Sequence, residues 1–251
     1  MLASVSLLVA SGAVRVASLN LCTDEYLLML ARPSEIASVS FLSRDPQESS
    51  LWREARRFPA NRGSLEDVIG QRPTLVLSMG GSGRATRLIA GRLGIRSLTL
   101  SSPSNIREVE RNMMAVAAAL GDRGRAAPLL SEIAALRRTV PAAPSDAIWV
   151  SGGGLSLSAG SLGAEWLGLA GYRQRALAGG RADLETLLVR PPAVLIRSEY
   201  RSGQMSRGNR WLDHPIVRNT RAKIIATDGR AWTCVGPSMI AEVARLRRSA
   251  R

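Results

Sequence analysis

Two hydrophobic rhythms alternate along the chain. Short runs with the look of buried strands stand at Val14-Arg15-Val16-Ala17-Ser18-Leu19-Asn20, at Ile36 to Leu42, at Thr74 to Met79 and at Arg96 to Leu100. Between them lie stretches with helical spacing. Thr23 or Asp24 can cap a helix through Leu27, Leu28 and Leu30, a helical turn starts at Ser64, and another helix runs up to Leu93. Ser43 to Gly63, with Pro46 and Pro59, reads as irregular. The second half repeats the plan. Strands are predicted at Ala147 to Val150, Ala193 to Ile196 and Lys223 to Ala226, with helices around Glu165 to Ala170 and over Pro237 to Arg248. Strand and helix in alternation predict an α/β fold with mainly parallel sheets.

One pattern recurs at an offset of 119 residues. Leu65-Glu66-Asp67-Val68-Ile69, then Pro73 and Leu75-Val76-Leu77, matches Leu184-Glu185-Thr186-Leu187-Leu188, then Pro192 and Val194-Leu195-Ile196. Each copy is a short helix with a glutamate near its start, a proline stop and a buried strand, so two lobes built alike are expected. Between them, Ile106, Val109, Met113, Val116 and Leu120 form a helical stripe, continued by Leu129, Leu130, Ile133 and Leu136. Gly121, Gly124 and Pro128 should bend or briefly interrupt it. At ~1.5 Å per residue, about 35 residues would make a strut ~50 Å long. The chain accordingly divides into an N-terminal lobe (14–103), a long connecting helix (104–140) and a C-terminal lobe (141–251).

Composition narrows the function classes. The formal charge of +14 invites a nucleic-acid reading. But Lys223 is the sole lysine, the arginines are scattered, and aromatics are 4% and do not interleave with a basic run. No nucleic-acid partner is expected. Met1 to Ala13 is almost wholly apolar and ends in Ser11-Gly12-Ala13, which suits a signal-peptidase site. It is too short to span a bilayer and lacks a positive start, so it is expected to be a clipped export signal. Enzyme motifs are missing. Gly80-Gly81-Ser82-Gly83-Arg84 and Ser151-Gly152-Gly153-Gly154 follow strands, yet neither fits the dinucleotide fingerprint or a phosphate loop with its lysine. A nucleotide-sugar-dependent transferase is the enzymatic alternative; the expectation is a non-enzyme.

Several pieces in order carry a resemblance. They are Val16 to Glu25 at the start, Gly63-Ser64-Leu65-Glu66 before Arg72-Pro73-Thr74-Leu75-Val76-Leu77, the long helical centre, and Trp232-Thr233-Cys234-Val235-Gly236-Pro237 before the last helix. Together they resemble the helical-backbone periplasmic substrate-binding proteins of ABC importers for cobalamin, haem and ferric siderophores. The resemblance implies two Rossmann-like lobes joined by a single long helix, a periplasmic monomer, and a bulky metal chelate as cargo without a resident cofactor. It also implies a permease with its ATPase as partner, docked through Glu66 and Glu185. A capping role for those two carboxylates is compatible with docking.

Ligand contacts are expected from loops at the carboxyl ends of strands. These are Leu21, Cys22, Thr23, Ser43, Met79, Gly80 and Gly81 in one lobe, and Gly153, Gly154, Leu155, Trp232 and Cys234 in the other. Trp232 is the expected aromatic wall. Tyr200 and Arg201 follow a strand and could reach the cleft, Arg201 toward an acidic group. Cys22 and Cys234 are open to three readings: a disulfide across the lobes, soft ligands for the metal of a chelate, or small lining residues. The sole histidine, His214, cannot by itself build a site for a naked metal ion. The absence of an obvious arginine cluster in the cleft leans toward a corrinoid.

Overall fold

The computed structural model describes residues 14–80, 83–200 and 206–250. The N-terminal lobe runs β1 (Val16–Ser18), α1 (Leu21–Leu30), β2 (Ile36–Ser40), α2 (Trp52–Ala55), β3 (Ala60–Asn61), α3 (Leu65–Ile69), β4 (Leu75–Met79), α4 (Gly83–Arg92) and β5 (Arg96–Leu100). Its five strands are all parallel, in the order β3-β2-β1-β4-β5. After α5 (Ile106–Ala119) and α6 (Ala127–Arg138) come β6 (Ser145–Val150), α7 (Leu162–Ala170), β7 (Tyr172–Gln174), α8 (Leu184–Val189), β8 (Val194–Ser198), α9 (Arg207–Leu212), α10 (Pro215–Arg218), β9 (Lys223–Thr227), α11 (Ala231–Cys234) and α12 (Met239–Ala250). This second sheet is also parallel, ordered β7-β6-β8-β9. The 119-residue repeat is thus architectural. α3–β4 and α8–β8 fill the same place, each strand lying beside the first strand of its lobe.

Strand alternation explains the layering. Val16, Leu75 and Leu77 face one side of the first sheet, while Ala17 and Val76 face the other with Leu65, Val68 and Ala90. In the second sheet Ala147, Trp149, Val194 and Ile196 face one side, and Ile148, Val150 and Leu195 the other. The first faces of both sheets belong to one continuous core. Tyr26 and Met113 from one side meet Trp149, Trp166, Trp232 and Met239 from the other, all nearly or fully buried. The lobes are therefore fused along an apolar seam, with a private core on each outer face.

The connector differs from the strut expected of it. α5 ends at Gly121 in a left-handed conformation (φ +84), where the Gly121 amide donates to Ala118 and the Asp122 amide to Ala117. This is a Schellman stop, which glycine accommodates without steric cost. Asp122 then accepts from the Gly124 amide, and Arg125 makes a two-pronged ion pair with Glu35 at 2.5 and 2.8 Å. The chain doubles back. Arg137 near the end of α6 grips Glu110 in α5 at 2.6 and 3.1 Å, although one straight helix would hold these residues ~40 Å apart. The segment 104–140 is a helical hairpin, and α6, not a single long rod, carries the chain to the second lobe. Short elements also form where no regular structure was expected: α2 and β3 within 43–63, and β7, α9 and α10 in the second lobe.

Across the seam, Cys22 at the start of α1 is bonded to Cys234 in α11, with the Cα atoms 5.3 Å apart and a separation of 212 positions in sequence. Around it, the Ile106 amide donates to Glu165 at 2.8 Å, Arg230 donates to the Pro46 carbonyl at 2.7 Å, and the Tyr200 hydroxyl donates to Glu48 at 2.5 Å. A cross-link closing so long a loop restricts the unfolded chain strongly. Cys22→Ser with Cys234→Ser should lower unfolding free energy by about 2–5 kcal/mol in denaturant titrations. The native protein should show no free thiol before reduction; two titratable thiols would contradict the bridge.

Candidate functional site

The carboxyl ends of β1, β2, β4 and β5 open on a cavity of about 620 Å³. Asn20 and Cys22 enter it where β1 turns into α1; Asn20 caps that helix, accepting from the Thr23 amide at 3.0 Å. Ser78 and Met79 come from the end of β4, Leu42 from the turn after β2, and Ser102 from the segment after β5. Ser64 and Glu66 stand at the start of α3, where Ser64 accepts from the Asp67 amide as cap. Thr86 and Ile89 arrive from α4. Thr233, beside the bridged Cys234, is the contribution of the second lobe among the described residues.

The chemistry of this lining is specific. Leu19, Leu21, Leu42, Leu65, Met79 and Ile89 supply apolar surface, and hydroxyls and one amide supply neutral hydrogen-bonding groups. Glu66 is the one charged side chain among its described lining residues. Its carboxyl is held below the usual range by its own amide and the Ser64 hydroxyl, so it stays ionised. The cavity can hold a bulky, largely apolar guest through shape and a few neutral contacts. Among its described lining residues there is no cationic clamp for a polyanion.

The expected site residues divide. Leu21, Cys22 and Met79 line the cavity, and so does Glu66, which had been assigned to docking. Thr23 is fully buried behind it, its hydroxyl 2.7 Å from Ser18. Ser43 is fully buried too and donates to the Ser40 carbonyl at 2.9 Å. Gly80 (φ +82) carries the turn after β4, its amide bonded to Leu100. Trp232, the expected aromatic wall, does not line this cavity. It is 8% exposed, packs on Trp149 with ring centroids 5.3 Å apart, and donates to the Thr227 hydroxyl at 2.7 Å. Cys234, bridged and buried, is also part of the seam; neither cysteine is a free metal ligand.

In the second lobe, Gly154 is pressed against Trp211 and the Ala182 carbonyl, and Gly153 lies near Arg181 and Gly208. Leu155 is exposed and bridges to Arg181. None of the three lines the cavity. Tyr200 joins the lobes through Glu48, and Glu185 is exposed on α8. His214 caps α10, its Nδ1 accepting from the Ile216 amide at 3.2 Å. Gly81, Arg201 and residues 1–13 lie outside the described residues. Sequence reasoning missed Asn20, Ser64, Ser78, Thr86, Ser102 and Thr233. Asn20 and Ser64 had a readable signal, since both are polar caps directly after a strand or loop.

Two buried acids sit beneath the site. Burial pushes Asp24 up to about 7, although the Ser40 amide and hydroxyl both donate to it. Burial pushes Glu25 up to about 8, with Ser238 of the other lobe offsetting part of the rise. Glu25 also lies against Gly236, where an added Cβ would stand 2.7 Å from its carboxylate oxygen. In the unfolded chain both acids lose their protons near pH 4. From there up to pH 7–8 the unfolded chain sheds protons that the folded one retains, so stability must fall with rising pH across that window. Denaturant midpoints measured from pH 4 to 8 should decline. Asp24→Asn with Glu25→Gln should flatten the decline by more than about 1 kcal/mol; an unaltered slope in that variant would contradict the assignment.

Solved structures share this fold. The chain aligns with the periplasmic heme-binding protein HutB of Vibrio cholerae over 95% of its own length and 99% of that chain, with a TM-score of 0.72 and 17% identity. The periplasmic heme-binding protein RhuT from Roseiflexus sp. RS-1 aligns over 96% and 100%, with a TM-score of 0.68 and 21% identity. The siderophore-binding protein BauB, bound to two acinetobactin molecules and ferric iron, aligns over 94% and 92%, with a TM-score of 0.69 and 15% identity. No protein-family model and no curated protein matches the chain by sequence. The α/β fold with two parallel-sheet lobes is therefore that of periplasmic binding proteins.

Proposed function

We propose that this chain is a periplasmic substrate-binding protein of an ABC importer, a carrier and not a catalyst, which captures a bulky metal chelate and hands it to a membrane permease. The observation that carries this reading is the cavity at the strand ends, closed on one side by the bridged second lobe, in a fold that spans nearly the whole of HutB. Binding pockets in open parallel sheets form at that edge because loops there are free to vary without disturbing the core. The largely aliphatic lining, with Glu66 as its one charge among the described residues, favours a guest recognised by shape, such as a corrinoid or a porphyrin, over a polyanionic ferric siderophore. Met79 and Glu66 are the lining side chains able to approach a chelated metal. The working unit is a monomer, delivered to the permease and its ATPase without nucleic-acid contact.

Glu66 and Glu185 are the docking carboxylates. Both are exposed in the first turn of equivalent helices, α3 and α8, that hold the same position in the two lobes. Such a pair suits a partner whose two halves are also alike, each presenting a cation.

Tryptophan fluorescence during titration with cobalamin, haemin and ferric siderophores tests the cargo. At least one of the first two should bind below ~10 μM, about −7 kcal/mol; no binding by any chelate at that level overturns the proposal. Glu185→Arg, which stands outside the cavity, should cut uptake through the permease in reconstituted vesicles while chelate affinity persists, and combining it with Glu66→Arg should abolish uptake. Undiminished uptake would refute the docking role.

A further inference from the structure

From Val68 to Arg107, forty residues contain six arginines and no aspartate or glutamate. These are Arg72, Arg84, Arg87, Arg92, Arg96 and Arg107, and all six are exposed. Several arginines elsewhere are neutralised: Arg125, Arg137, Arg175, Arg197, Arg230 and Arg245 each pair with a carboxylate. Among the described residues none of the six in this segment forms a salt bridge. The positive charge of this stretch is therefore left to face outward.

Helix α4 lies at its centre and is barely anchored. Ala90 is its one buried residue among those described, packed with the outer core of the first lobe. Opposite Ala90, Arg84, Leu88 and Arg92 follow one another at four-residue spacing along the outermost stripe. Ile89 and, just past the helix, Leu93 stand to one side of that stripe. Leu88 is 62% exposed, Leu93 50% and Ile89 43%. Aliphatic side chains with arginines interleaved on one exposed face are the composition of a helix that lies in a membrane interface, its leucines among acyl chains and its guanidiniums at anionic headgroups. A protein partner would need a carboxylate-rich, apolar groove to match the same face; an anionic bilayer supplies both features without shape matching.

We infer that α4 is a membrane-contact helix that seats this protein on an anionic phospholipid surface. Thr86 and Ile89 of the same helix line the cavity. Membrane contact through Leu88 and Leu93 would thus hold the cavity mouth close to the bilayer. That advantage rests on the carrier reading, while the contact itself does not.

Co-sedimentation of the full chain with vesicles tests the inference. Binding is expected with mixed phosphatidylglycerol and phosphatidylcholine vesicles and not with phosphatidylcholine alone. Near an anionic leaflet each arginine is worth roughly fivefold in affinity, so Arg84→Glu, Arg87→Glu and Arg92→Glu together should weaken binding by about a hundredfold or more. Leu88→Ser with Leu93→Ser, which leaves the charge intact, should weaken it by about tenfold. Arg190→Glu, Arg218→Glu and Arg221→Glu make the same charge change on the other lobe and should have much less effect. Equal losses from the two arginine sets would reduce the effect to diffuse charge and overturn the proposal. So would unchanged binding of the double serine variant, or no binding by the wild type. A concentration-dependent dimer in sedimentation equilibrium that the serine variant abolishes would assign the face to a second copy instead. Circular dichroism of each variant reports folding, and because no chelate enters the vesicle assay, a failure here is separate from a failure of the carrier reading.

Discussion

The seam between the lobes is the constraint on which the rest of the molecule depends. One apolar core passes from Tyr26 and Met113 in the first lobe to Trp149, Trp166 and Trp232 in the second, and the Cys22–Cys234 bond closes its edge. Apolar burial of this extent is non-directional, so by itself it would permit the lobes to slide. Directional contacts prevent that. Glu165 caps α5 from the opposite lobe, Arg230 reaches the Pro46 carbonyl, and Tyr200 holds Glu48. The two sheets consequently present their strand ends in a fixed relation across the seam.

That rigidity is obtained at a local cost. Asp24 and Glu25 follow Cys22 within one helical turn and are carried with it into the interior. Asp24 accepts from the Ser40 amide and hydroxyl, whereas Glu25 faces Gly236 and Ser238 across the seam, and burial raises the pKa of both. A carboxyl placed there is kept neutral more easily than it is solvated. The helix that brings the bridge to the cavity wall therefore also brings two acids whose protonation is tied to folding.

The connector shows how far a one-dimensional pattern reaches. Ile106, Val109, Met113 and Val116 are fully buried, and Ile133 with them, so the stripe marked the helices and their inner faces. Their direction was another matter. Gly121 was readable as a bend, but a left-handed stop that reverses the chain differs from a kink only through partners distant in sequence. Those partners are Glu35 for Arg125 and Glu110 for Arg137. Neither pair follows from spacing along a helix.

The sequence by itself determined the α/β alternation, the equivalence of α3–β4 and α8–β8, the exposed carboxylates Glu66 and Glu185, and the strand-end origin of Leu21, Cys22 and Met79 in the cavity. All of these rest on short-range periodicity and on residues whose local backbone role is unambiguous. Only the tertiary structure decided that Trp232 packs into the seam, that Cys22 meets Cys234, and that Gly153, Gly154 and Leu155 stand away from the cavity. An indole buries well against either a guest or another indole, and the choice between them depends on what packs opposite. Here that was Trp149, 83 residues earlier in the chain, and no local pattern carries such a distance.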